Sequence, residues 1–253
     1  MSDSGSLSVS IRGNAAYVTF GHPAGNSFPS SQLLKLTEAL GQLAHNPTVA
    51  LVVLQSSGDG AFCAGASFDE LLSISDPDTG TRFFSGFANV INAMRQCPKP
   101  IIGRVQGKAV GGGVGLAAAC DYVFATHAAS VRLSELAIGI GPFVIAPAVE
   151  RKVGKSGLAE LSFAPSEWKD ATWALQRGLF SRLCDDIASM DVALDSFVET
   201  LGGCNPEALS EMKKALWEGT DHWGTLLYER AAISGSLVLS DFTRQALEAF
   251  RKK

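Results

Sequence analysis

Two glycine-rich segments contain the residue types that can bring backbone N–H groups close to a ligand. The first is GDGAFCAGASFD at 58–69, and the second is GKAVGGGVG at 107–115, directly after a stretch that predicts a β-strand. Glycine permits positive φ and close backbone approach. A helix that begins at such a loop directs free N–H groups at an anion or a developing oxyanion. For one loop alone, tight helix–strand packing is an equally good interpretation.

The sequence around Glu135 indicates an apolar environment for this carboxylate. The apolar run LAIGI follows it at 136–140. Apolar surroundings raise the pKa of a carboxyl toward neutral pH, as a general acid or base requires. Without further support, a surface or helix-capping glutamate is the commoner interpretation. The four histidines are scattered, and the five cysteines form no C-x-x-C pair, so neither a disulfide framework nor a zinc site is predicted.

The second glycine segment also fits a dinucleotide-binding fingerprint. GVGLAA at 113–118 matches G-x-G-x-x-A after a predicted strand, and Glu135 lies 20 residues beyond Gly115. However, a strand at 122–125 and a turn at His127-Ala128 are predicted in between. Glu135 would then not end the strand that follows the glycine helix, which makes an NAD(P)-dependent oxidoreductase the weaker alternative.

Composition narrows the class of protein. The 253 residues are 46% apolar and 18% charged, which suits one large domain with a substantial core. A net charge of −4 without a basic cluster argues against nucleic-acid binding. The first six residues are polar, and the longest uncharged apolar stretches, 109–120 and 136–149, are too short to span a bilayer. We expect a soluble, cytoplasmic protein with no membrane or nucleic-acid partner.

Hydrophobic patterning predicts an α/β core followed by helices. The predicted core elements are a hairpin within 7–20, a helix from Pro29, a strand at 49–55, a helix at 81–96, a strand at 101–105, a helix after Gly111 and a strand at 122–125. Strands that are apolar on both faces indicate a largely parallel sheet. From about residue 146 the pattern is helical almost throughout.

Further motifs accompany the glycine loops in a fixed order. They are HPAGNSF at 22–28, AFCAGASFDEL at 61–71, GKAVGGGVGLAAACDYVFAT at 107–126, LSELAIGIGP at 133–142, ALQRGLFSRL at 174–183 and EALSEMKKAL at 207–216. In this set and order the sequence resembles the crotonase (enoyl-CoA hydratase/isomerase) superfamily. The resemblance implies a crotonase-like (ClpP/crotonase) α/β fold: a core of repeated ββα units, expected at 1–190, and an all-helical oligomerisation region, expected at 191–253.

The resemblance also implies a site. The substrate would be an acyl-CoA thioester, with no other cofactor and no metal. The backbone N–H groups of Ala66 and Gly112 would hold the thioester carbonyl and stabilise its enolate. Glu135, 23 residues after Gly112, would be the acid/base. Further substrate contacts are implied for Ala24, Ala64, Ser67, Phe68, Asp69, Gly111 and Gly115.

One position departs from the family pattern. The carboxylate that two-carboxylate members carry within the glycine helix falls here at Gly115. Hydration in those members uses both acids, whereas one base can move a double bond from the 3,4 to the 2,3 position. A single glutamate therefore favours an enoyl-CoA isomerase, although single-glutamate hydratases also exist in the family. Ser67 occupies a position at which family members commonly have an acidic residue. The sequence therefore does not show how the first loop is held in place.

Other expectations follow from the same resemblance. The aromatic side chains of Phe83, Phe84 and Phe87 could wall an acyl pocket or belong to an ordinary helix core. The missing carboxylate makes a catalytically degenerate acyl-CoA-binding protein a further alternative. The family implies a role in fatty acid metabolism and assembly as a homotrimer or a dimer of trimers through the C-terminal helices.

Overall fold

The computed structural model describes residues 5–251 of the chain. Residues 1–4 and 252–253, which belong to the two expected regions, lie outside the described residues. In chain order the strands of the described part are β1 Ser6–Arg12, β2 Ala15–Gly21, β3 Leu51–Ser56, β4 Ile101–Val105, β5 Ala109–Val110, β6 Tyr122–Thr126, β7 Ser130–Arg132, β8 Lys169–Asp170 and β9 Arg182–Cys184.

Helices make up most of the remaining chain. They are α1 Ser30–Ala44, α2 Phe68–Ser73, α3 Pro77–Gln96, α4 Gly112–Ala119, α5 Ala146–Phe163, α6 Ala171–Gln176, α7 Ile187–Gly202, α8 Pro206–Leu216, α9 Trp223–Leu237 and α10 Asp241–Arg251, with a 3₁₀ turn at Glu135–Ile138. Local signals explain several of their ends. The Asp76 side chain accepts the Thr79 N–H to begin α3, and α3 ends before Pro98, because a helix rarely continues into the residue preceding proline.

The larger sheet has the strand order β1-β2-β3-β4-β6-β9. β1 pairs antiparallel with β2 in the predicted hairpin, and the other neighbours are parallel. The residues of β4 are all buried, as expected for a central parallel strand covered on both faces, whereas β1 is largely exposed at the edge. The parallel α/β core predicted from the sequence is confirmed.

Hydrophobic cores lie on both faces of this sheet. The larger core packs α1, α3 and α4 against one face. On the other face, Met190 and Leu194 of α7 pack against Tyr17 and Leu51. Because α7 is part of the sheet's second core, the division expected between residues 190 and 191 falls inside a helix. The region that packs on the sheet extends to the end of α7, and the oligomerisation role expected for 191–253 stays a prediction.

A second, smaller sheet positions the glycine loop. β5 pairs in parallel with β7, and β7 pairs antiparallel with β8. The prediction of helix almost throughout after residue 146 omitted β8 and β9. Each of these strands spans only two or three residues, which is too short for the alternation that identifies a strand in a sequence.

The C-terminal helices return to the core. Helix α9 crosses α3 closely, since a Cβ built on Gly80 would lie 2.6 Å from the Gly235 carbonyl oxygen. Helix α10 covers the 3₁₀ turn, where a Cβ on Gly139 would lie 2.5 Å from the Phe242 ring. Within residues 5–251, no helix combines the length and the apolar character needed to cross a bilayer.

Candidate active site

Backbone pairing joins the two glycine loops. Cys63 forms an isolated parallel bridge with Ala109, in which the Val110 N–H donates to the Cys63 carbonyl at 2.9 Å. The loops are so close that a Cβ built on Gly65 would lie 2.9 Å from the Val110 carbonyl oxygen and 3.6 Å from the Gly112 nitrogen. Gly65 also has φ of +92°, so both its conformation and its surroundings require glycine.

The N–H groups of Ala66 and Gly112 are both available at this junction. In the parallel bridge between Phe28 and Ala66, the bonded groups are the carbonyl of Gly65 and the N–H of Ser67, so the Ala66 N–H faces away from Phe28. Gly112 is the first residue of α4 and has no intrahelical acceptor. Within the described part of the chain, neither N–H donates to a protein group.

Glu135 reaches the same place through the smaller sheet. The pairing of β5 with β7 is extended by the Gly111 N–H, which donates to the Arg132 carbonyl at 2.9 Å. The residues that follow the two strands are therefore side by side. A Cβ built on Gly111 would lie 2.7 Å from Glu135 Oε1, so the carboxylate occupies the space beside the glycine that precedes α4.

Burial determines the protonation of Glu135. Its Oε2 is buried and accepts no hydrogen bond from any described residue. Desolvation raises the pKa of the Glu135 carboxyl to about 7, against smaller lowering effects of its own backbone N–H and of Arg132. Half of the molecules therefore carry the ionised form near neutral pH, as a group that both accepts and returns a proton requires.

A cavity of about 290 Å³ contains these groups. Ala66, Gly112 and Glu135 all line it. Much of its wall is apolar, formed by residues that include Leu71, Phe84, Phe87, Ile138, Ile140 and Phe143. Of the aromatic residues considered on α3, Phe84 and Phe87 line the cavity, whereas Phe83 packs behind them with its ring centroid 5.3 Å from that of Phe84.

Ile145 occupies the space into which a side chain at position 115 would project. A Cβ built on Gly115 would lie 2.5 Å from Ile145 Cγ2 and 2.7 Å from Ile145 Cβ. Gly115 itself is buried in α4 and does not line the cavity, whereas Ile145 does. The Ile145 side chain therefore occupies the space that a carboxylate at position 115 would take.

The remaining expected substrate contacts divide into two groups. Ala64, Phe68 and Gly111 line the cavity, and the exposed Ala24 and Asp69 do not. Ser67 is also outside the lining, where its hydroxyl caps α2 by accepting the Glu70 N–H. The Glu70 carboxylate in turn accepts the Ser30 N–H at the start of α1, at 2.7 Å. Ser67 thus helps to brace the first loop without an acidic side chain.

Sequence reasoning missed several residues of the site. The polar residues Arg132, Ser134 and Ser234 also line the cavity, and Ser234 comes from α9, far along the chain. Asn26 holds the first loop in place: its Nδ2 donates to the carbonyls of Ser57 and Ala61, at 3.0 and 2.9 Å. The motif around Asn26 was visible in the sequence. No local sequence pattern predicts that Ser234 lines the cavity.

Other chemistry has less support in the described residues. Burial raises the pKa of the Cys63 thiol to about 12, so it is not a thiolate nucleophile. Glu135 follows β7 and faces the glycine loop, whereas a dinucleotide fingerprint needs its acidic residue at the end of β6. No three His, Cys, Asp or Glu residues within 5–251 are grouped as ligands for a metal ion.

Comparison with known proteins identifies the family and the fold. The family model described as "Enoyl-CoA hydratase/isomerase" matches residues 10–250. The chain belongs to the enoyl-CoA hydratase/isomerase family. A crystal structure of an enoyl-CoA hydratase from Bacillus halodurans superimposes with a TM-score of 0.88 at 20% identity, covering 96% of this chain and 99% of that one. The crotonase-like fold expected from the sequence is confirmed.

Relatives in this enoyl-CoA hydratase/isomerase family include both kinds of enzyme. The short-chain-enoyl-CoA hydratase of Clostridium acetobutylicum is 28% identical over 95% of this chain and 92% of its own length. The peroxisomal Δ(3,5)-Δ(2,4)-dienoyl-CoA isomerase of Arabidopsis thaliana is 28% identical over 76% of this chain and 72% of its own length. Family membership supports an acyl-CoA enzyme. It does not distinguish hydration from isomerisation, so the reaction has to be inferred from the residues of the cavity.

Proposed function

We propose that the protein is an enoyl-CoA isomerase that moves a 3,4 double bond of an acyl-CoA thioester to the 2,3 position. The observation that carries the proposal is a single buried carboxylate, Glu135, in an apolar cavity beside two free backbone N–H groups. Ile145 stands where a second acid would project. The reaction relocates one proton, so the proposal includes no cofactor beyond the coenzyme A of the substrate.

The proposed reaction has two proton transfers. The Glu135 carboxylate removes a proton from C2 of the 3-enoyl thioester, and the C–H electron pair becomes part of a dienolate. The negative charge on the thioester oxygen is stabilised by the N–H groups of Ala66 and Gly112. The Glu135 carboxyl then gives the same proton to C4, which leaves the double bond between C2 and C3 and restores the carboxylate. No atom is gained or lost.

The surroundings of Glu135 suit both transfers. A base with a pKa of about 7 combines a large ionised fraction at neutral pH with useful basicity, and its conjugate acid is strong enough to return the proton. The apolar wall keeps the local dielectric low, which strengthens the interaction of the two N–H donors with the dienolate oxygen.

Hydration of a 2-enoyl thioester is the second candidate. Ser134 and Ser234 line the cavity, each carries a hydroxyl that can bind a water molecule, and the hydratase from Clostridium acetobutylicum is among the relatives. Glu135 alone would then have to take a proton from water as oxygen adds to C3 and deliver a proton to C2. The isomerase proposal is preferred because only one carboxylate is available for the work.

A substrate panel separates the candidates. Purified protein is incubated with 3-enoyl- and 2-enoyl-CoA esters of several chain lengths, and the products are identified by mass spectrometry and ultraviolet absorbance. An isomerase converts 3-enoyl to 2-enoyl esters without a gain in mass, and hydrates 2-enoyl esters at least tenfold more slowly. Faster gain of water would favour the hydratase. Binding without conversion would favour the degenerate acyl-CoA-binding protein.

The matched control for the panel is a second glutamate substitution. Glu38 is exposed on α1, away from the cavity, so Glu38→Gln removes one carboxylate without touching the site. Conversion must be lost with Glu135→Gln and retained with Glu38→Gln. The trimeric assembly, the cytoplasmic location and the role in fatty acid metabolism stay predictions that this panel does not address.

A further inference from the structure

Arg132 brings a cation to the wall of a mainly apolar cavity. It is the last residue of β7, three residues before Glu135, and it is one of the residues that line the same cavity. Placing a guanidinium at the edge of a low-dielectric space is unfavourable unless the charge is compensated. The anion that neutralises Arg132 would therefore indicate which ligand the cavity binds.

The described residues supply no acceptor for this guanidinium. The Arg132 Nε is buried without a hydrogen-bond partner, and no ion pair or hydrogen bond of its side chain is formed within residues 5–251. Glu135, the carboxylate of the cavity, forms no hydrogen bond with Arg132, since its Oε2 is also without a partner, although the Arg132 charge slightly opposes the rise that burial causes in its pKa. Arg132 is therefore left without a counterion among residues 5–251.

Trp168 fixes the orientation of this side chain. The Arg132 guanidinium lies over the Trp168 ring, with Cζ 4.5 Å from the ring centroid, and the Lys108 ammonium lies 5.0 Å from the same centroid. Such stacking leaves the N–H edges of a guanidinium free for an anion. Lys108 also forms no ion pair among the described residues, but unlike Arg132 it is not a residue of the cavity lining.

We propose that Arg132 binds a carboxylate on the acyl group of the substrate, so that the preferred thioesters are CoA monoesters of unsaturated dicarboxylic acids. This inference rests on the proposed function, since it places the acyl group in the cavity of Glu135. A carboxylate matches the planar fork of arginine and supplies the missing charge. The phosphates of coenzyme A are the other anionic source, but the long pantetheine arm separates them from the reacting carbons that Glu135 must reach.

Binding of saturated thioesters tests the proposal without requiring turnover. Affinities are measured by calorimetry for succinyl-, glutaryl- and adipoyl-CoA, and for butyryl-, valeryl- and hexanoyl-CoA of matched carbon number. We expect at least one dicarboxylic ester to bind about ten- to a hundredfold more tightly than its neutral counterpart, as hydrogen bonds to charged groups imply. Arg132→Gln should abolish this preference, and Arg132→Lys should keep part of it.

Lys108→Gln is the matched control, because it removes the other cation on Trp168 from a residue outside the cavity lining. It should leave the preference intact. The inference is overturned, with the proposed function intact, if neutral esters bind as tightly at every length or if the preference survives Arg132→Gln. Equal weakening of all six esters by Arg132→Gln would assign Arg132 to a coenzyme A phosphate and would also overturn it. If none of the esters binds, the proposed function fails first.

Discussion

The Glu135 carboxylate occupies the space into which a side chain at Gly111 would project. A Cβ at position 111 would lie 2.7 Å from Glu135 Oε1 and 3.3 Å from its Cδ. Gly111 also has φ of +53°, which allows the chain to turn from β5 into α4 and leaves the Gly112 N–H free. Gly111 thus positions the Gly112 N–H as an oxyanion donor and also leaves the space that the Glu135 carboxylate occupies.

Gly111→Ala should reduce kcat by about two decades or more, because the added methyl group displaces the carboxylate from its position and small misplacements of catalytic groups are costly. Gly13→Ala is the matched control: Gly13 has a similar φ of +58°, but a Cβ there meets nothing within 4 Å. Gly111→Ala should be the less stable of the two in thermal unfolding, because its Cβ also meets Glu135, so kcat is measured well below both unfolding temperatures. Equal kcat values for the two variants would contradict the contact with Glu135.

The pH dependence of kcat/KM should show a rising limb with an apparent pKa of about 7. The base form of Glu135 is the one that removes the C2 proton, and burial raises the pKa of this carboxyl to about 7. Activity should therefore fall about tenfold for each pH unit below that value. Initial rates at subsaturating 3-enoyl-CoA across the acid and neutral range provide the measurement. A flat profile down to the pKa of an ordinary glutamate would exclude a buried base.

Glu135→Gln should stabilise the fold at alkaline pH. A carboxyl whose pKa is raised in the folded state favours folding below its unfolded pKa of 4.5, and this contribution is lost as the pH rises through about 7. The difference corresponds to about 3 kcal/mol at pH 8 as an upper figure. Urea unfolding of wild type and variant at pH 5 and pH 8 should show a gap that widens with pH, and a gap that narrows would contradict the assignment.

Gly115→Ala should destabilise the protein by about 1–3 kcal/mol, because its Cβ would meet Ile145 in a well-packed region. The same substitution at Gly41 in α1, where a Cβ meets nothing within 4 Å, should be neutral or stabilising by a fraction of 1 kcal/mol. In an Ile145→Ala background, the cost of Gly115→Ala should largely disappear. A double-mutant cycle by urea unfolding measures this coupling, and additive effects would show that Ile145 does not fill the space.

The elements with long hydrophobic patterns were predictable from the sequence. The β-hairpin, the buried strand β4 and the amphipathic helix α3 follow from alternation or helical periodicity. The glycine loops and Glu135 were predictable because each lies within a contiguous motif. Strands β5 and β7 were not, since two or three residues carry no period, although their pairing is what brings Glu135 to Gly111.

Several residues that shape the cavity were not predictable from the sequence, because tertiary contacts place them there. Ile145 follows the last motif residue of LSELAIGIGP by only three positions, yet its contact with Gly115 joins segments 30 residues apart. Ser234 reaches the cavity only because α9 crosses α3 at Gly80. The sequence showed that position 115 lacks a carboxylate, and packing alone reveals that no room remains there for one.

The fate of the C2 proton tests the single-carboxylate account most directly. A 3-enoyl-CoA deuterated at C2 is converted by wild type, Glu135→Gln and Glu38→Gln, and early product is examined by mass spectrometry and NMR. We predict deuterium at C4 of the 2-enoyl product for wild type and Glu38→Gln, and a turnover lower by about two to four decades for Glu135→Gln. Undiminished turnover in Glu135→Gln, with label still transferred to C4, would contradict the account.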